Sequence, residues 1–169
     1  MAAKVLVAYA SKYGSTQEIA EKIGEALKQA GLQADVKPVK SVNNLSDYKE
    51  VIIGSAMYIG NWRKEAVNFL KKNEKLLAGQ KVWVFSTGPS GKGDPAQLLK
   101  GVIIPAGVKE ILDRIKPRDI VVFHGSLNPE KMKGLEKWMV KRVGGETGDF
   151  RDWEMIKRWG EKVAGEIKG

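Results

Sequence analysis

The chain has 169 residues, 43% of them hydrophobic, and a formal net charge of +9. That length suits one domain with a real core. It contains no cysteine, which excludes disulfides, thiolate metal sites, iron–sulfur ligation and cysteine catalysis. No apolar run approaches the ~18 residues of a membrane-spanning helix. The N-terminal residues carry no signal-peptide pattern, so a cytoplasmic location is the expectation. The basic balance suits nucleic acid, an anionic membrane face or an acidic partner. The charges are dispersed, however, and also fit a Lys/Glu-rich surface that leans basic.

Taken in chain order, apolar runs alternate with helical patterns. The first strand is expected at Lys4–Ala10. A helix follows at about Thr16–Ala30, where Ile19, Ile23, Ala26, Leu27 and Ala30 recur at helical spacing and Gly31 stops it. Ser15 and Glu18 have capping-box spacing. Later strands are expected at Ala34–Val39, Val51–Ser55, Val82–Ser86 and Ile120–His124. Four of the five are near-continuous apolar runs, as parallel strands covered on both faces require. Pro38 fits the second strand to an edge. Helices are expected near Arg63–Leu77, Lys109–Ile115, Lys131–Arg142 and Trp153–Ile167. The stretch from Gly88 to Pro105 reads as a functional loop or as a loop around a short helical turn. Nothing argues for a second domain: the chain reads as one unit over residues 1–169. The whole predicts an α/β three-layer sandwich with a five-stranded parallel sheet in the order 2-1-3-4-5.

In such a sheet, ligands bind beyond the C-terminal ends of the strands, at the switch point. Three loops therefore matter. Ser11-Lys12-Tyr13-Gly14-Ser15-Thr16 offers hydroxyls and helix-start amides, which suit a phosphate. Ala56-Met57-Tyr58-Ile59-Gly60-Asn61-Trp62 offers close approach plus two aromatics. Ser86-Thr87-Gly88-Pro89, with Gly91 and Asp94, offers backbone amides for the edge of a flat heterocycle. Tyr58 and Trp62 are candidate stacking faces; each also reads as an ordinary packing residue. Together the loops favour a mononucleotide with a flat ring.

The first loop resembles the FMN phosphate loop of flavodoxins. Ser11, Gly14 and Thr16 match the pattern, and Tyr13 stands where a threonine is usual. Ile53–Trp62 followed by Phe69–Lys72, His124–Leu127, and the tail Gly144–Thr147 with Asp152–Glu154 are similar to flavodoxin-type, menaquinone-dependent protoporphyrinogen oxidases. That resemblance spans nearly the whole chain, except that Pro89–Gly107 does not match the family's basic insert closely. It implies an FMN-binding flavodoxin fold and an oxidoreductase that oxidises a protoporphyrinogen-type substrate with quinone as acceptor. A soluble electron carrier is one alternative; such carriers dock through acidic surfaces, against which +9 counts. A basic binding module without flavin is another. No phosphate-binding P-loop, G-x-G-x-x-G fingerprint, metal-ligand cluster or nucleophile elbow is present. His124, the only histidine, is a proton-donor candidate or a satisfied strand-end residue.

Met132, Leu135, Trp138 and Met139 define one apolar face among Lys133, Lys137, Lys141 and Arg142. That face reads either as core packing or as a basic contact with an anionic membrane or a quinone-bearing partner, peripheral at the inner face. Nucleic acid is the less favoured partner.

Overall fold

The computed structural model describes residues 4–142 and 146–169. Its elements are β1 (Lys4–Ala10), α1 (Ser15–Gln29), β2 (Gln33–Pro38), β3 (Glu50–Tyr58), β4 (Asn61–Trp62), α2 (Lys64–Ala78) and β5 (Lys81–Thr87). There follow α3 (Pro95–Leu98), α4 (Ala106–Ile115), β6 (Asp119–Phe123), β7 (Ser126–Leu127), α5 (Gly134–Arg142), β8 (Gly148–Asp149) and α6 (Trp153–Lys168).

Five strands pair in parallel in the order β2-β1-β3-β5-β6. This is the expected topology, with Pro38 on the edge strand opposite Tyr9. Because side chains alternate across a strand, each strand feeds two cores. On one face Leu6, Ala8, Val51, Ile53, Val82 and Val84 meet α2 and α4 through Phe69, Leu70, Leu77, Val108, Ile111 and Leu112. On the other, Val5, Val7, Ile52, Trp83, Phe85 and Phe123 meet α1 and α6 through Ile19, Ile23, Leu27, Ile156, Trp159 and Val163. Each large side chain buried this way contributes about 1.5–3 kcal/mol.

Two local expectations change. The third strand does not stop at Ser55. It continues to Tyr58, and Asn61–Trp62 pairs back antiparallel, Tyr58 opposite Asn61, adding a sixth strand. The two-residue turn between them has positive φ at both Ile59 (50°) and Gly60 (74°), the backbone of a tight type I′ hairpin. A β-branched residue in that region is strained. The second change is at the start of α1. Gly14, in the left-handed conformation, is the N-cap. The helix thus begins at Ser15 itself, which places the Ser15–Glu18 pair one residue too late to form a capping box.

Candidate functional site

The C-terminal ends of β1, β3, β5 and β6 bring their following loops together. A narrow pit of about 50 Å³ lies between Ser11, Lys12, Tyr13, Ser15 and Thr16 on one side and Ala56, Met57, Tyr58, Thr87 and Gly88 on the other. Gly125, Ser126 and Leu127 complete its wall. It adjoins a broader cleft of about 440 Å³, walled by Met57–Gly60, Gly88–Ser90, Leu98, Leu99, Leu127 and Val140. That volume falls in the range of small-molecule sites. A slightly larger apolar cavity, about 520 Å³, lies by Ile103, Leu112 and Pro117 before β6 begins. It shares no lining residue with the pit or the cleft.

The pit has the chemistry of an anion cradle. Ser11 Oγ accepts from the Gly14 N–H at 2.9 Å, which shapes the loop. The Glu18 N–H bonds back to the Gly14 carbonyl at 3.1 Å. The N–H groups of Ser15, Thr16 and Gln17 precede that first helical bond and have no intrahelical acceptor. They lie at the positive end of the helix dipole. Thr16 Oγ1 and Thr87 Oγ1 share a buried hydrogen bond of 2.7 Å, which ties the first loop to the third. Ser15 Oγ and Tyr58 OH are buried without a hydrogen-bond partner among the described residues. Buried polar atoms are rarely left unpaired, so these two mark a place for a polar ligand.

A carboxylate from α5 reaches over this loop. Glu136 accepts from Lys12 Nζ at 2.6 Å, from Tyr13 OH, and from the Lys133 N–H at 3.3 Å. Lys12 and Tyr13 hold its carboxyl down at about 2. Burial works against the Lys12 charge, but Glu136 and Tyr13 more than offset it, so its pKa is raised. Burial and the Glu136 carboxylate both push the Tyr13 phenol up. The Lys12 ammonium lies 4.2 Å from the centre of the Tyr58 ring, a cation–π distance. Arg151, just after β8, bonds to Asp149, Glu18 and the Ser15 carbonyl, and so pins the start of α1 to the β7–β8 ribbon.

Thirteen of the nineteen expected site residues line the pit or the cleft: Ser11, Lys12, Tyr13, Ser15, Thr16, Ala56, Met57, Tyr58, Ile59, Gly60, Thr87, Gly88 and Pro89. Gly14 acts instead through its turn. Gly88 is held by proximity, since a Cβ there would lie 2.3 Å from the Met57 carbonyl oxygen. Trp62 does not offer a stacking face. The hairpin reversal turns its indole into the core, where it donates to Ser86 Oγ at 2.8 Å, and that bond occupies both residues. Asn61 is exposed and bonds to the Ile59 carbonyl. Asp94 caps α3, accepting from the Ala96 and Gln97 N–H groups, as an Asp-Pro helix start favours. Gly91 lies outside both walls, near Glu146 and Leu98. His124 sets both ring nitrogens against backbone carbonyls, of Pro89 at 3.2 Å and Gly93 at 2.6 Å. It therefore staples the third loop. Gly125–Leu127 follow the last parallel strand, so the rule that selected the other loops selects them too. Glu136 carried only the faint signal of a lone acid in a basic run. The tail residues Gly144 and Gly145 lie outside the described residues.

The sequence profile described as Flavodoxin domain matches residues 6–154. The chain is 24% identical to the protoporphyrinogen IX dehydrogenase (quinone) of Escherichia coli (strain K12), covering 95% of this chain and 94% of that protein. It is 29% identical to an NAD(P)H dehydrogenase (quinone) of Rhodopseudomonas palustris (strain TIE-1), over 45% of this chain and 49% of that one. Among solved structures, a flavodoxin from the domain Archaea superposes with a TM-score of 0.65 at 16% identity, covering 98% of this chain and 99% of that one.

Proposed function

This chain belongs to the flavodoxin domain family, whose cofactor is FMN, and on that premise we propose that it is an FMN-dependent oxidoreductase that oxidises a protoporphyrinogen-type substrate and passes the electrons to a quinone. The observation that carries the reading is the polar pit continuous with an apolar cleft, with the unpartnered Ser15 and Tyr58 hydroxyls in its walls. Both relatives above are named for a quinone, one over nearly the full chain.

The roles follow from the groups present. The Ser15 hydroxyl and the first N–H groups of α1 would hold the terminal phosphate. Thr16 is committed to Thr87 and holds the two loops in register. The Ile59–Gly60 turn and the backbone of Gly88–Ser90 would hold the flat ring and offer polar groups to its edge. Met57 and Leu127 would give it an apolar sleeve. FMN, when bound, supplies the redox chemistry; the protein supplies placement and electrostatics.

The test is turnover by FMN-loaded protein. Protoporphyrinogen oxidation coupled to quinone reduction supports the reading. Quinone reduction with NAD(P)H alone favours the activity named for the second relative. Flavin retained with neither turnover indicates an electron carrier. No flavin retained overturns the redox reading and leaves the basic binding module.

A further inference from the structure

We infer that the apolar cavity before β6 is a second ligand site, and that it takes an apolar molecule carrying one carboxylate, of the medium-chain fatty acid class. The inference goes beyond the proposed redox activity and does not depend on it. The cavity, of about 520 Å³, has the size of a small-molecule site. Its floor is core: Ile104 and Leu112 are buried, and Ile103 and Ile120 pack against the same cluster. One wall is the strap Gly101–Ile104. Lys100 and Gly101 both have positive φ (52° and 79°), and the Gly101 N–H bonds back to the Ala96 carbonyl at 2.9 Å. That turn ends α3 and sends the strap across to Pro105, where α4 begins. Val102, on the strap, is 61% exposed beside the cavity. Apolar walls offer water few hydrogen-bond partners, so an apolar body fills this space better than solvent does.

Charge identifies the head group. Three ionisable side chains line the cavity, Lys109, Asp113 and Lys116. Lys109 and Asp113 pair at 2.9 Å and cancel. Lys116 is left as one cation, with no ion pair among the described residues. It stops α4 at φ 59°, a left-handed conformation that glycine adopts more easily. Helix-end electrostatics do not require a lysine there, because Arg114 already lies in the last turn. One unmatched ammonium beside an apolar cavity complements one anionic group on an apolar body, and repels an alkyl cation. The strap falls within Pro89–Gly107, the segment that departs from the resembling oxidases. The site is thus a feature of this chain, apart from the flavin pit and cleft.

The experiment is titration of the isotope-labelled full chain with decanoate, decanol and decylammonium, each below its micelle concentration, followed by amide resonance shifts. Decanoate should bind more tightly than decanol, and decylammonium least. The decanoate shifts should cluster at Gly101–Ile104, Leu112 and Lys116–Ile120, and should persist when FMN is added. Lys116→Gly removes the ammonium and suits the positive φ, so the fold is kept; it should weaken decanoate by about threefold or more and leave decanol unchanged. Lys116→Glu should reverse the order of decanoate and decylammonium. The same charge change on α2, Lys71→Glu, should leave that order as in the parent. Equal affinity for the three probes, shifts confined to the cleft at Met57–Gly60, or no shift up to the solubility limit of decanoate would overturn the inference. So would decanoate affinity unchanged in Lys116→Gly, or equal effects of Lys116→Glu and Lys71→Glu.

Discussion

Helix α6 lays Ile156, Trp159 and Val163 against the sheet, and the Trp159 indole donates to Asp119 at 2.9 Å. Helix α5 grips the body through Val140 and the inward Glu136 carboxylate, and leaves Trp138 outside. Both carry tryptophan. The difference is what holds them. Helix α6 is held by apolar area, and its removal uncovers the core. Helix α5 is held by the single buried Val140 and by the polar latch of Glu136 on Lys12 and Tyr13. Apolar packing onto the sheet therefore belongs to α6, and the contact with the cleft, through Val140, to α5.

The comparison breaks most readily at the two tryptophans. Trp159→Ala should cost about 3–5 kcal/mol in urea unfolding. Trp138→Ala should stay within about 0.5 kcal/mol of the parent. Comparable losses would mean that α5 is also a structural helix. The helix glycines give the next contrast. A Cβ at Gly160 would lie 2.9 Å from Ala26 Cβ, where α6 crosses α1 closely. Gly160→Val should therefore cost about 1–3 kcal/mol. Gly134, opening α5, has free space around it, and Gly134→Ala should be neutral or stabilising by up to about 1 kcal/mol.

Smaller effects probe the latch. In Glu136→Gln, amide exchange should accelerate several-fold in α5 and stay unchanged in α6. Matching rates in both helices would remove the latch from the account. Its pH dependence has a definite sign. The Glu136 carboxyl is held at about 2, below the ordinary ~4.3 of glutamate. Its contribution is therefore fully present above about pH 4.3 and is lost as the pH falls through about 2. The Glu136 side-chain carbon resonance should show an ionised carboxylate at pH 3.5, and titration near the ordinary value would contradict the contact.

The sheet order was legible because buried parallel strands are continuous apolar runs and the elements alternate strictly. The rule that ligands gather beyond strand ends then found most of the pit and cleft. What escaped was set by long-range packing. Nothing in Ala56–Trp62 announces that a β-branched Ile59 will take a left-handed turn and carry Trp62 away from the cleft into the core. The spacing of Met132, Leu135, Trp138 and Met139 marks an apolar stripe, but spacing cannot say whether a sheet waits beneath it. For α6 a sheet does. For α5 the helix rotates so that Glu136 and Val140 face inward, because Lys12 and Tyr13 offer the carboxylate its partners.

The central claim is an FMN site whose phosphate end is the Ser15 cradle. Titrating the protein with FMN, desalting and recording the visible spectrum tests it most directly, in the parent and in Ser15→Asp. Aspartate suits the first turn of a helix and should leave the fold intact while placing a negative charge in the cradle. The account predicts one retained flavin per chain with a perturbed spectrum in the parent, and none in the variant. A parent that retains no flavin, or a variant that binds as tightly as the parent, would contradict it.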